Sequence, residues 1–120
     1  PGDYSEALAE RERLRQELLR WMGGTPLLVA PVGAVPAFEH GARKVFAGGE
    51  EVGTFRAFGY AQAFNVFDLP AACVPAGKSR EGLPVGVQLV GRPGAERDVL
   101  AAARVVEEAL GGWLRPPEFL

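Results

Sequence analysis

The sequence predicts an α/β domain, and three observations carry that expectation. Two long segments place apolar residues at the 3.6-residue helical period, short apolar runs bounded by proline and glycine have strand composition, and a polar turn joins two of those runs as a β-hairpin would. At 120 residues and 48% hydrophobic, the chain can bury one core and no more.

The first helix is expected from Asp3 to Met22, where Tyr4, Ala7, Leu8, Leu14, Leu18, Trp21 and Met22 form a stripe among Glu and Arg residues. Asp3 can cap its start, with Glu6 three positions on, and Gly23-Gly24 can end it. The run Pro26-Leu27-Leu28-Val29-Ala30-Pro31 is a buried strand, bounded by prolines that cannot sit inside a ladder. Residues 33–53 hold no sustained period and contain Pro36, Gly41, Gly48 and Gly49. They are expected as a long surface loop with a short extended stretch at Lys44-Val45-Phe46.

Thr54 can cap a second helix reaching about Asn65, with Phe55, Phe58, Tyr60, Ala61, Ala63 and Phe64 on nearly every side. A helix apolar all round belongs in the middle of something larger. Leu69 to Pro75 is a second short strand, and Gly77 to Gly82 is a polar turn leading to a third at Pro84 to Val90. After Gly91-Arg92-Pro93-Gly94, the residues Val99, Leu100, Ala103, Val106, Ala109 and Leu110 recur at helical spacing until Gly111-Gly112. Glu96 and Asp98 suit the positive end of that helix. Three strands for three helices, all with apolar faces, make an incomplete sheet. The chain also opens on Pro1-Gly2-Asp3 without an initiator Met, which adds to the expectation of a piece cut from a larger unit.

Thirteen basic against fifteen acidic residues give a net charge of -2 with no basic run, so no nucleic-acid partner is expected. No apolar stretch approaches the roughly 18 residues that span a bilayer, nor is there a signal-peptide core, so no membrane partner and a cytoplasmic location are expected. One cysteine, Cys73, and one histidine, His40, exclude an internal disulfide framework and a Cys/His zinc site.

The run Asn65-Val66-Phe67-Asp68-Leu69-Pro70-Ala71-Ala72-Cys73-Val74-Pro75-Ala76-Gly77, followed by Gly82-Leu83-Pro84-Val85-Gly86-Val87-Gln88-Leu89-Val90-Gly91-Arg92, resembles the C-terminal portion of the amidase-signature family. The family pattern is N-x-x-G-L-P-A-x-x-V-P-x-G, a short turn, G-L-P-x-G-x-Q-L-x-G, then an acidic helix, for which this chain offers Glu96, Val99 and Leu100. Leu27 to Pro31 looks like the family's buried strand that leads into a Pro-rich loop. One departure is Asp68, where glycine is usual, and it bears on the local turn. The resemblance implies an α/β fold in which residues 1–120 supply part of a mixed β-sheet with flanking helices. It also implies hydrolysis of a carboxylic amide by a Ser-Ser-Lys triad, with no metal or organic cofactor. In that chemistry a lysine acts through a bridging serine on the nucleophilic serine, and backbone N–H groups stabilise the oxyanion. Those groups belong to the N-terminal two thirds of such enzymes. The implied partners are therefore a small-molecule amide substrate and the N-terminal remainder of the same enzyme, and no catalytic residue is expected in this chain.

Among tempting residues, Lys78-Ser79 sits on a polar turn, where neighbouring side chains project into water and are not expected to form a catalytic pair. Cys73 lies in an apolar strand and is expected as an inert core thiol. His40 is expected as a solvated loop histidine. Asn65 and Gln88 are polar groups inside apolar stretches that must find hydrogen-bond partners. The candidate substrate-binding residues are Phe55, Phe58 and Asn65, on a segment apolar enough to line a ligand site and directly before the family-like motif. Phe64 shares that segment.

Two other functions fit the same residues. One is the A subunit of a glutamine-dependent tRNA amidotransferase, the same fold working as a glutaminase with a partner subunit, in which an aspartate seven residues before the Asn looks like part of the glutamine site. The corresponding stretch here is Phe58-Gly59-Tyr60-Ala61, so that carboxylate is absent. The other is a stand-alone, non-catalytic interaction module descended from the enzyme's C-terminal part.

Overall fold

The structure, a computed structural model, describes residues 2–115. Its elements are α1 (Tyr4–Trp21), β1 (Leu27–Pro31), β2 (Lys44–Ala47), β3 (Glu50–Gly53), α2 (Thr54–Ala57), α3 (Gly59–Val66), β4 (Ala71–Lys78), β5 (Pro84–Gly91) and α4 (Glu96–Ala109). The α/β expectation holds. Asp3 caps α1 by accepting from the Ser5 amide at 3.1 Å, which satisfies one of the orphan donors of a helix start.

The main sheet has the order β1-β5-β4. Its central strand, β5, runs antiparallel to both neighbours, so β1 and β4 point the same way. The expected hairpin is present, with Ala71 opposite Val90 and Lys78 opposite Pro84. Its register shifts between Pro75 and Gly77, where proline has no N–H to give the ladder.

Alternation along the strands divides the core in two. On one face, Leu27, Ala72, Val74, Val87 and Leu89 meet Val99, Ala103 and Val106 of α4. On the other, Leu28 and Val90 meet Met22, Leu69, Leu18, Leu19, Phe64 and Phe67. Helix α4 lies over β4 and β5 and leaves Val29 of β1 65% exposed. The close fit of α4 depends on Gly91, because a Cβ there would stand 2.5 Å from Val99 Cγ2.

Two expectations are corrected. Residues 33–53 do not form a plain loop, because β2 and β3 pair antiparallel within them, Val45 opposite Val52. Gly48 and Gly49, at φ +63° and +88°, supply the two positive-φ residues of a tight hairpin turn. The helix expected from Thr54 to Asn65 is broken at Phe58, whose backbone (φ -104°, ψ 18°) ends α2 and begins α3. The Ala57 carbonyl accepts from the Ala34 amide at 2.7 Å, while the Ala61 amide turns back to Phe58 O at 3.2 Å. A loop contact has replaced one rung of the helical ladder.

The departure at Asp68 keeps the turn a glycine would make. Asp68 has φ +52°, its amide donates to Asn65 O at 3.2 Å, and the Leu69 amide donates to Phe64 O at 3.1 Å. That is a Schellman end to α3, completed by apolar contact around Leu69 and Phe64. Arg11 of α1 pairs with the Asp68 carboxylate and donates to Val66 O, and Arg15 donates to Phe67 O at 2.8 Å. Two guanidinium groups thus dock α1 on the negative end of α3.

Candidate functional site

The Pro-rich loop after β1 and the break between α2 and α3 together shape two cavities. The loop crosses the break, tied by the Ala34 to Ala57 hydrogen bond, and Ala34 lines both cavities. The first, about 370 Å³, is lined by residues including Gly33, Pro36, Phe58, Cys73, Val85 and Gly86. The second, about 470 Å³, is bounded by Ala47 and Val52 of the small hairpin and by Arg56, Tyr60, Ala63 and Phe64.

Phe58 is the residue of the first cavity that the sequence singled out. Its ring is half-buried and meets Phe38 with centroids 6.0 Å apart and planes at 47°, within the tilted geometry that aromatic pairs favour. It also rests on Gly33, where a Cβ would come within 2.6 Å of the ring. Only the bare backbone of Gly33 leaves room for this seat.

Phe55 and Asn65 are not brought to that cavity. Phe55 is 79% exposed on α2, and its carbonyl accepts from Gln62 Nε2 at 3.0 Å. Asn65 is exposed on α3, which corrects its reading as a polar group inside the core: the second apolar layer ends at Phe64 and Phe67 on either side of it. Gln88 is buried and donates to Pro31 O at 2.8 Å. Phe64 packs against the Met22, Leu69 and Val90 cluster.

Cys73 is also corrected. It is exposed, because the helices covering its face of the sheet reach only the Leu28 and Val90 end, and the first cavity opens beyond them. Ser79 builds the hairpin turn: its oxygen accepts from the Glu81 and Leu83 amides, both at 3.3 Å. The Ser79 hydroxyl and the Glu81 amide hold the Glu81 carboxyl below its ordinary pKa. His40 is exposed. Among the described residues no helix is long and apolar enough to cross a membrane.

Among the cavity residues outside the sequence-based expectations are Gly33 and Arg56. Nothing in the sequence marks Gly33 as the floor under an aromatic ring. Arg56 does carry a signal, being the only charged residue between Glu51 and Asp68.

The Amidase family profile matches residues 2–100. Fatty-acid amide hydrolase 2-A of Danio rerio is 36% identical over 109 residues, covering 91% of this chain and 19% of that protein. The A component of the glutamyl-tRNA(Gln) amidotransferase of Acidobacterium capsulatum is 34% identical, covering 87% of this chain and 21% of that protein. A crystal structure of an amidase superposes with a TM-score of 0.82 at 35% identity, over 90% of this chain and 25% of that one. The chain therefore spans about a fifth of the length of the curated relatives it matches. The motif from Asn65 to Arg92, the sheet built from it and these matches agree: the chain belongs to the Amidase family.

Proposed function

We propose that this chain is the C-terminal part of a cytoplasmic amide hydrolase that cleaves a carboxylic amide to an acid and an amine or ammonia. The observation that carries the reading is the Amidase family match over residues 2–100. The 36% identity to a protein named fatty-acid amide hydrolase supports it. Chemistry is supplied by the N-terminal remainder of the enzyme, where a serine activated by lysine through a second serine attacks the carbonyl carbon. The amine leaves with a proton, and water then releases the acyl group as the acid. No metal or organic cofactor takes part.

This chain's share is binding. The ring of Phe58 and the apolar lining of the first cavity form a surface for the substrate's apolar group, and Phe55 and Asn65, exposed outside that cavity, are proposed to reach the substrate from the same segment. An apolar lining with few polar atoms is what such sites commonly have. The test uses the full-length protein, an aryl amide and a short aliphatic amide. Turnover of the aryl amide is expected, and Phe58→Ala should lower the aryl-to-aliphatic ratio of kcat/KM by on the order of tenfold, the loss of part of a ring's apolar contact. No turnover of either amide rejects the hydrolase. An unchanged ratio with a lowered thermal midpoint rejects the binding role alone.

The amidotransferase reading draws on relatives of nearly equal identity. Against it stands Phe58, an apolar ring packed on Phe38 where a glutamine site would need a carboxylate. Glutaminase activity in the same assay would reverse the order of the two readings.

A further inference from the structure

Among the described residues, the second cavity is lined by one cationic side chain and by no acidic one. Arg56 lines it, and its side chain, among the described residues, makes no hydrogen bond or ion pair. Tyr60 lines it as well, and its hydroxyl likewise has no partner among those residues. The remaining lining is apolar, from Ala47 and Val52 on the hairpin to Ala63 and Phe64 on α3. Acidic groups nearby are accounted for. Glu51 lies on the opposite face of the hairpin and is tied to Lys44 at 2.6 Å. Glu50 shares the face of Ala47 and Val52 by register, yet it is exposed and forms no ion pair with Arg56.

An apolar cavity of about 470 Å³ with a planar cation and a phenol among its walls has a definite complement. A guanidinium binds a carboxylate through paired N–H donors, and the apolar walls take up a short hydrocarbon chain. We propose that the second cavity binds a small amphipathic monocarboxylate, its head on Arg56 and Tyr60 and its chain against Val52, Ala63 and Phe64. The second cavity shares only Ala34 with the first and its lining does not include Phe58, so the proposal does not depend on the hydrolase reading.

The experiment is calorimetric titration of the full-length protein with hexanoate and with 1-hexanol, a probe of similar chain length that lacks the charge and has no amide to cleave. Hexanoate is expected to bind at one site per chain at least tenfold more tightly than 1-hexanol. Arg56→Gln should remove that preference, and Arg56→Lys should keep part of it, with thermal midpoints confirming that both variants fold. Ala63→Trp should weaken both probes by filling the cavity. Absence of hexanoate binding overturns the proposal. So does equal binding of the two probes by the wild type, or a preference that survives Arg56→Gln.

Discussion

Gly91 and Gly33 do the same job in two regions of different character. Each lets a side chain sit where a methyl group would otherwise stand, Val99 at 2.5 Å from the missing Cβ and Phe58 at 2.6 Å. Around Gly91 the molecule is closed: Val99 is 2% exposed and Leu89, beside it in the same layer, is 2% exposed. Around Gly33 it is open, and the ring borders a cavity of about 370 Å³. Close packing transmits a small displacement, whereas a cavity absorbs it. The layer between the sheet and α4 is thus closed around Val99 and Leu89, whereas the segment from Gly33 to Phe64 leaves the Phe58 ring bordering open space.

Replacing each glycine by alanine separates the two. Gly91→Ala should be the larger perturbation, because the extra methyl must push α4 off the sheet. A loss of about 1–3 kcal/mol, the usual range for overpacking, is expected in urea unfolding of the protein. A change near zero would mean that α4 shifts freely and that the region is not closed.

Gly33→Ala should cost less than about 1 kcal/mol, since the Phe58 ring can swing into open space. Its signature lies elsewhere. Cys73 lines the same cavity and is the only cysteine of these 120 residues, so its rate of reaction with a thiol reagent, read at the peptide that carries it, reports where the ring has gone. A severalfold change in that rate with a nearly unchanged urea midpoint is expected. The converse pattern, a large stability loss with an unaltered thiol, would place Phe58 in the packed core.

The same contrast explains what the sequence can say. Helix α4 and the β4–β5 hairpin are legible because each buries one face against the other, and burial imposes a period on the apolar residues. The β2–β3 pair is hard to read because four-residue strands carry too little period, although Gly48-Gly49 between Ala47 and Glu50 is a turn signal that points to it. The break at Phe58 is hidden for a different reason. A segment apolar on nearly every side reads as one helix, and the cause of the break, Ala34 bonding to Ala57 O, lies more than twenty residues away. Cys73 and Asn65 depart from expectation because composition reports what a side chain prefers and not where the covering helices stop.

The smallest contrast lies at the seam, where α1 meets the end of α3 at Asp68. Two effects compete there. A left-handed conformation costs a residue with a Cβ roughly 1–2 kcal/mol, and Asp68, at φ +52°, bears it. Its carboxylate pairs with Arg11 in return, but that carboxylate is 71% exposed, and exposed pairs contribute about 0–1 kcal/mol. Asp68→Gly removes both at once, so a net change within about 1 kcal/mol is expected, on the stabilising side if the backbone cost is the larger. Asp68→Ala loses the pair and keeps the strain, and should be the least stable of the three. The difference between the Ala and Gly variants isolates the backbone, because neither has a carboxylate. About 1 kcal/mol in favour of Gly is expected from urea midpoints, and Arg11→Gln should leave that difference unchanged. Equal stability of the two variants would show that residue 68 is not held left-handed.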